Sequence, residues 1–241
     1  MKILEVKDMV MKFGGLTAVD NLNFSIDKGE ILGLIGPNGA GKSTVFNCIA
    51  GVHPPTKGQV LFNGVQTNHE KSWNLCKKGL ARTFQIVKPF ATKTVLYNVM
   101  VGAFVTTSNT EHAEEKALTV LNMLDFEAKK DMKAGNLTIA DIKRLEIARA
   151  LATDPKLLLL DEVMAGLRPS EVDEVVEMIN ELRNSGTTVF VIEHIMRAVM
   201  ALSDRIVVIQ FGEKIAEGTP EEVASNENVI KAYLGDDYGT A

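Results

Sequence analysis

The chain has 241 residues, 46% hydrophobic and 24% charged, a composition of ordinary globular proteins that excludes disordered and fibrous classes. Its 26 Lys and Arg against 31 Asp and Glu leave a formal charge of -5, which argues against broad binding to nucleic-acid backbones. The length suits one large α/β domain or two small ones, with ample material for a core.

Met1 to Asp8 alternates charged and apolar side chains where a secretory signal needs an uninterrupted apolar stretch, so no export signal is expected. No run of about 18 apolar residues occurs; even Leu157 to Leu160 runs straight into Asp161 and Glu162. If a membrane is involved, other chains span it. Cys48 and Cys76 stand in no CxxC pair or metal-ligand cluster and read as reduced thiols.

Ile3 to Val10 and Leu16 to Ile26 read as strands, with turn chemistry at Gly14-Gly15 and Asp27-Lys28-Gly29, and form an antiparallel flank. Ile31 to Ile35 is apolar on both faces, as in a strand buried inside a parallel sheet, and a helix starts near Lys42. Gly58 to Gln66 reads as a strand or hairpin and Gly79 to Phe84 as a further buried strand. From about Thr94 to Ala150 the pattern is mainly helical, with Ala117, Val120, Leu121 and Leu124 on one stripe. The α/β pattern resumes at Leu157 to Leu160. A helix opened by Pro169 comes next, with Val172, Val175, Val176, Ile179 and Leu182 on its core face and Gly186 past its end. Strands at Thr188 to Ile192 and Arg205 to Gln210 and a closing helix at Asn226 to Leu234 complete the alternation; no internal repeat occurs.

Gly36-Pro37-Asn38-Gly39-Ala40-Gly41-Lys42-Ser43-Thr44 matches GxxxxGK[ST] between a predicted strand and a predicted helix. Its glycines let backbone N–H groups converge on phosphate oxygens, Lys42 reaches the terminal phosphates and the Ser43 hydroxyl ligates Mg²⁺. Asp161 and Glu162 emerge at the carboxyl end of a buried strand, the edge where ligands bind in open parallel sheets. Asp161 would help hold Mg²⁺, and Glu162 would polarise the attacking water or accept its proton. His194 comes after another strand leading to that edge, so its imidazole could reach a γ-phosphate, although a lone histidine is more often structural or solvated. Gln85 can offer a carbonyl to Mg²⁺ or water.

Taken in order, Phe13, the 36–44 loop, Gln85, the stretch from Leu137 to Asp141, Asp161-Glu162 and His194 resemble the ATP-binding-cassette ATPases over nearly the whole chain. Arg82 to Gln85, Leu145 to Leu151, Glu193-His194, Ala216 to Glu222 and Ala232 to Gly235 resemble the branched-chain amino-acid importer ATPases within them. The resemblance implies one ATPase domain over 1–241 with a P-loop NTPase core. That core is a mostly parallel sheet with helices and an antiparallel β flank, formed by 1–85 and 151–241, with a helical signature subdomain inserted at about 86–150. It also implies that Phe13 stacks on adenine, that Gln85 senses Mg²⁺ and the membrane partner, and that His194 contacts the γ-phosphate.

The implied assembly is a head-to-tail pair of ATPase subunits, alike or different, with two ATP molecules between them. Permease subunits dock a short helix on the helical insertion, a solute-binding protein acts indirectly, and the pair sits at the cytoplasmic face of the membrane. The transported solute is then a branched-chain or related amino acid. No nucleic-acid partner is expected: cassette ATPases of that class often carry tandem cassettes, coiled coils or basic extensions, for which there is no room.

The sequence departs from the family at the signature, usually Leu-Ser-Gly-Gly-Gln and here Leu137-Thr138-Ile139-Ala140-Asp141. Thr138 keeps a hydroxyl, Ile139 and Ala140 add side chains where glycine allows close approach, and Asp141 brings a carboxylate unfavourable near polyphosphate unless paired or turned away. Val163 stands where proline is common and Arg168 where an acid or amide is. Without the family likeness this stretch reads as an ordinary amphipathic helix with Ile142 and Leu145 buried and Lys143 and Arg144 solvated. A weakly hydrolysing ATP-dependent switch is the alternative to an importer motor.

Overall fold

The computed structural model describes residues 1–84 and 88–234. Strand β1 (Lys2–Phe13) turns at Gly14-Gly15 and pairs antiparallel with β2 (Leu16–Asp27). After the wholly buried β3 (Ile31–Ile35) come helix α1 (Lys42–Ile49), β4 (Lys57–Phe62) and the two-residue β5 (Val65–Gln66). The 58–66 segment is thus a hairpin, and it adds to the flank in the order β2-β1-β4-β5.

Helix α2 (Ser72–Lys77) precedes β6 (Leu80–Arg82), which is shorter than the sequence pattern predicts. Three helices come next: α3 (Val95–Ala103), α4 (Thr110–Met123) and α5 (Ile139–Leu151). Ala117, Val120, Leu121 and Leu124 are all buried. The chain continues through β7 (Leu157–Asp161), α6 (Pro169–Asn184), β8 (Thr188–Ile192), α7 (Met196–Leu202), β9 (Arg205–Gln210) and β10 (Glu213–Gly218). It closes with α8 (Pro220–Ala224) and α9 (Glu227–Leu234).

The second sheet has the order β10-β9-β3-β8-β7-β6, parallel throughout except for β10, which pairs antiparallel on β9. Its central strands are apolar on both faces because each face meets a different core. Leu157, Leu159, Phe190 and Ile192 pack toward the antiparallel flank and α1. Leu158, Leu160, Val189 and Val191 pack toward the helical segment and α6. The two-residue alternation of side chains sorts one strand between two cores. On α6, Met178 joins Val172, Val175, Ile179 and Leu182 in the buried face, while Val176 is only half-buried. Both cysteines are free, and burial pushes the Cys48 thiol up to about 11. Among the described residues no helix is long and apolar enough to cross a membrane.

Phe190 on β8 lies between Phe24 of the flank and Phe46 of α1, with ring centroids 5.6 and 5.8 Å away. It is fully buried and ties together the three layers that meet beside the phosphate loop. Phe190→Ala should cost about 3–5 kcal/mol through lost burial and a residual cavity; urea unfolding followed by circular dichroism measures this, and a change below about 1 kcal/mol would contradict the assigned role of the ring.

Candidate functional site

Residues 36–44 leave β3 and enter α1, whose N-cap Gly41 is left-handed at φ 102°. A Cβ on Gly36 would lie 2.1 Å from the Ile209 carbonyl oxygen, and one on Gly41 2.5 Å from that of Ala18. Backbone from β9 and β2 therefore presses on the loop at places only glycine fits. Lys42 is buried in the first turn of α1. Its Nζ donates to the carbonyls of Gly36 (2.7 Å) and Pro37 (3.0 Å). Burial holds its pKa below the ordinary lysine value, opposed by the charge of Glu162. A buried ammonium at the positive end of a helix fits a chain of phosphates.

This loop forms one wall of a cleft of about 570 Å³ lined by Phe13, Leu16 to Ala18, Asn38 to Thr44, Glu162 and Phe211. Phe13 ends β1 and is 44% exposed, with its ring edge-on to His53 at 5.8 Å. Leu16 and Phe211 are exposed apolar residues beside turns; they belong to no motif, so sequence reasoning does not find them.

Asp161, at the end of β7, is buried. Arg82 at the end of β6 reaches its Oδ2 at 3.4 Å and also donates to Asn47 Oδ1 at 2.9 Å. The guanidinium lies against the rings of Phe46 (5.3 Å) and Phe84 (4.8 Å). Burial raises the Asp161 carboxyl above its ordinary value, with Arg82 opposing and Glu162 adding. A buried carboxylate with one long cationic contact is better satisfied when a second cation binds. Asp161 and the exposed Ser43 are the oxygen-bearing residue types that Mg²⁺ takes alongside phosphate oxygens. Among the described residues there is no group of three or more His, Cys, Asp and Glu to cage a metal unaided. Gln85, the other expected metal contact, lies outside the described residues.

Glu162 comes next, in the left-handed region at φ 49°, and its N–H donates to the Ile192 carbonyl at 2.9 Å, pinning the end of β7 to β8. Its own carbonyl accepts from Lys143 Nζ at 3.3 Å. Lys143 is therefore buried rather than solvated: α5 turns this side chain onto the β7 edge, where a backbone carbonyl receives the charge. Arg144 is half-buried and pairs with Glu174 at 3.0 Å. His194, past the end of β8, is 56% exposed, and its Nδ1 lies 3.9 Å from Glu193 Oε2.

Thr138 is the N-cap of α5. Its Oγ1 accepts the Asp141 N–H (3.2 Å), and Asp141 Oδ2 accepts the Thr138 N–H (3.4 Å). Lys129 Nζ donates to both Asp141 oxygens at 2.6 and 2.7 Å. Burial raises the Asp141 carboxyl, but the bonds from Lys129 and Thr138 outweigh it and hold the group below the usual range. The carboxylate that departs from the family pattern is thus paired. Ile139 stands 65% exposed beside it, Ala140 is half-buried, and none of residues 138–141 lines the cleft. Val163 is a core residue, and Arg168 is exposed and paired with Glu171 at 2.7 Å.

The model of the ABC transporter family matches residues 19–165, and that of the branched-chain amino acid ATP-binding cassette transporters matches 213–239. The chain belongs to the ABC transporter family. It is 42% identical to the high-affinity branched-chain amino acid transport ATP-binding protein LivG of Escherichia coli (strain K12), over 97% of this chain and 98% of the relative. Identity to BraF of Pseudomonas aeruginosa, described in the same words, is 40% over the same shares. Among solved structures, a nucleotide-free ATP-binding cassette from an ABC transporter matches with TM-score 0.89 at 32% identity, covering 98% of this chain and 100% of that one. The ADP conformation of such a cassette matches equally well. A dimeric cassette in a post-hydrolysis state with ADP and phosphate matches with TM-score 0.80 at 27% identity, over 90% and 98%. The ATP-binding proteins of this family hydrolyse ATP, and the P-loop NTPase fold expected from the sequence is the fold observed.

Glu146 on α5 accepts the Phe84 N–H, which ties the helical segment to the end of β6. Burial pushes its carboxyl up to about 7 against that bond and the charges of Lys143, Arg149 and Arg82. A carboxyl with a raised folded-state pKa stabilises most below its unfolded value, and the contribution is lost as pH rises through the folded value. Between pH 4 and 8 this group should remove up to roughly 3 kcal/mol of stability. Urea midpoints across that range should show the slope in the parent protein and flatten in Glu146→Gln; an unchanged slope would contradict the assignment.

Proposed function

We propose that this chain is the ATP-hydrolysing subunit of an importer for a branched-chain or related amino acid, paired with a second ATPase subunit beneath membrane-spanning permeases. The observation that carries the reading is the buried Lys42 ammonium and the exposed Ser43 lining one cleft with Glu162, in a chain 42% identical to LivG. In this reading 1–241 is one ATPase unit, with residues of about 86–150 as its signature subdomain.

The backbone of Gly36, Pro37, Asn38, Gly39, Ala40 and Gly41, continued by Thr44, cradles the phosphates, and Lys42 trades its loop carbonyls for phosphate oxygens. Phe13, exposed at the cleft mouth, stacks on adenine. Ser43, Asp161 and Gln85 would hold Mg²⁺, which supplies charge neutralisation for the transferring phosphoryl group. Glu162 accepts the proton of the attacking water, and His194 contacts the γ-phosphate. Thr138, Ile139, Ala140 and Asp141 face the nucleotide held by the partner subunit.

A groove of about 540 Å³ runs between α2, β6, α3 and α5, walled by the exposed Trp73, Phe84 and Val101 with Arg149 at its side. Its apolar walls and its position against the helical segment suit a short permease helix, which would carry ATP-driven closure to the membrane. The ATPase pair then sits at the cytoplasmic face of the membrane, and a solute-binding protein acts on it only through the permeases. Glu162→Gln should bind ATP within about twofold of the parent while turnover falls by roughly 10²- to 10⁴-fold. Nucleotide titration and phosphate release measure the two, and unchanged steady-state hydrolysis would remove Glu162 from this role.

The exposed Ile139 at the N-terminus of α5 favours a second reading, a weakly hydrolysing switch whose closure is blunted by side chains where glycine is usual. Replacing 138–141 by Ser, Gly, Gly and Gln separates the two. A rise of about tenfold or more in ATPase rate and ATP-induced dimerisation supports the switch; a change within about twofold supports the motor.

A further inference from the structure

Glu193 is 1% exposed and comes directly after β8, immediately before His194. Its Oε1 accepts the Met164 N–H at 2.8 Å, so it holds the segment just past Glu162. Its Oε2 is buried and, among the described residues, has no hydrogen-bond partner. An unbonded buried carboxylate oxygen carries a full desolvation penalty, and such atoms are rare in folded chains.

His194 Nδ1 lies 3.9 Å from Oε2, on a ring exposed enough to turn, and the His194 backbone N–H also acts on this carboxylate. Arg197, the next cation along the chain, is committed to Asp173 at 3.0 Å and the Pro169 carbonyl at 3.4 Å. Lys143 is committed to the Glu162 carbonyl. A shift of about 1 Å would bring Nδ1 within charge-assisted hydrogen-bond range of Oε2.

We propose that Glu193 is a positioning residue for ATP hydrolysis: one carboxylate oxygen holds the segment after Glu162, and the other receives the Nδ1–H of His194, aiming Nε2 at the terminal phosphate. The inference rests on the reading that His194 contacts that phosphate. A carboxylate behind one imidazole nitrogen fixes the ring's orientation and decides which nitrogen faces the substrate. The same side chain then sets the loop of the base and the angle of the histidine together.

Glu193→Gln tests this, because glutamine keeps volume and an acceptor for Met164 N–H but loses the charge facing Nδ1. In the full-length protein we expect kcat to fall roughly 10- to 100-fold with the KM for ATP within about twofold and the melting temperature not lowered. In a His194→Ala background the same change should have no further effect. Parent-like kcat, or an equal loss in both backgrounds, overturns the proposal. Absence of turnover in the parent would count against the proposed function instead. In that event the ring ¹⁵N shifts of His194 in the ATP-loaded protein decide: a protonated Nδ1 that is lost in Glu193→Gln supports the proposal, and an unprotonated Nδ1 in the parent overturns it.

Discussion

The Lys42 ammonium is buried with its protons given to two carbonyls of its own loop, and most of the site is arranged around keeping it there. Removing an ammonium from water is costly, and two neutral carbonyls compensate only in part. An anionic phosphate compensates far better, so the loop holds a charge whose best partner is the substrate. Two backbone contacts fix that geometry, from Ile209 against Gly36 and from Ala18 against Gly41. One comes from the parallel sheet and the other from the antiparallel flank. The flank therefore shapes the phosphate loop and, through Phe13 and Leu16 to Ala18, walls the cleft beside it.

The same logic of incomplete pairing runs across the carboxyl edge of the sheet. Asp161 has a guanidinium at 3.4 Å, too long for a strong ion pair, and burial favours its protonated form. Arg82 divides itself among Asp161, Asn47 and two aromatic rings, so it can give up the carboxylate without being left unpaired. By contrast, Asp141 is fully engaged by Lys129 and the α5 cap, so its charge at this helix end is compensated. Asp161 is thus left only partly paired at the sheet edge, while Asp141 is fully engaged.

Much of this was readable from local pattern. The phosphate loop, the acids after Leu160 and the core faces of α4 and α6 depend on spacing within one element, and strands buried on both faces announce themselves as unbroken apolar runs. What was not readable has two causes. Strand β10 is a polar edge strand, half-exposed along its length, and α2, α7 and α8 are too short to establish a period. The pairings that tune the site join residues far apart in sequence: Arg82 with Asp161, Lys143 with the Glu162 carbonyl, Lys129 with Asp141. Lys143 shows the cost of reading a helix alone, since its helical position predicts solvent and only the neighbouring strand end explains its burial.

Those long-range pairings also bear on how the parts move together. Glu162 is bonded through its N–H to β8 and through its carbonyl to α5, so the candidate base is placed by the sheet and the helical segment at once. The Glu146 bond to the Phe84 N–H joins the same helix to β6, immediately before Gln85. A rotation of the helical segment relative to the sheet would load both bonds, one at the base and one at the groove wall formed by Phe84. Because packed elements shift between discrete arrangements rather than deforming continuously, a rearrangement of the helical segment has to break or remake these two bonds.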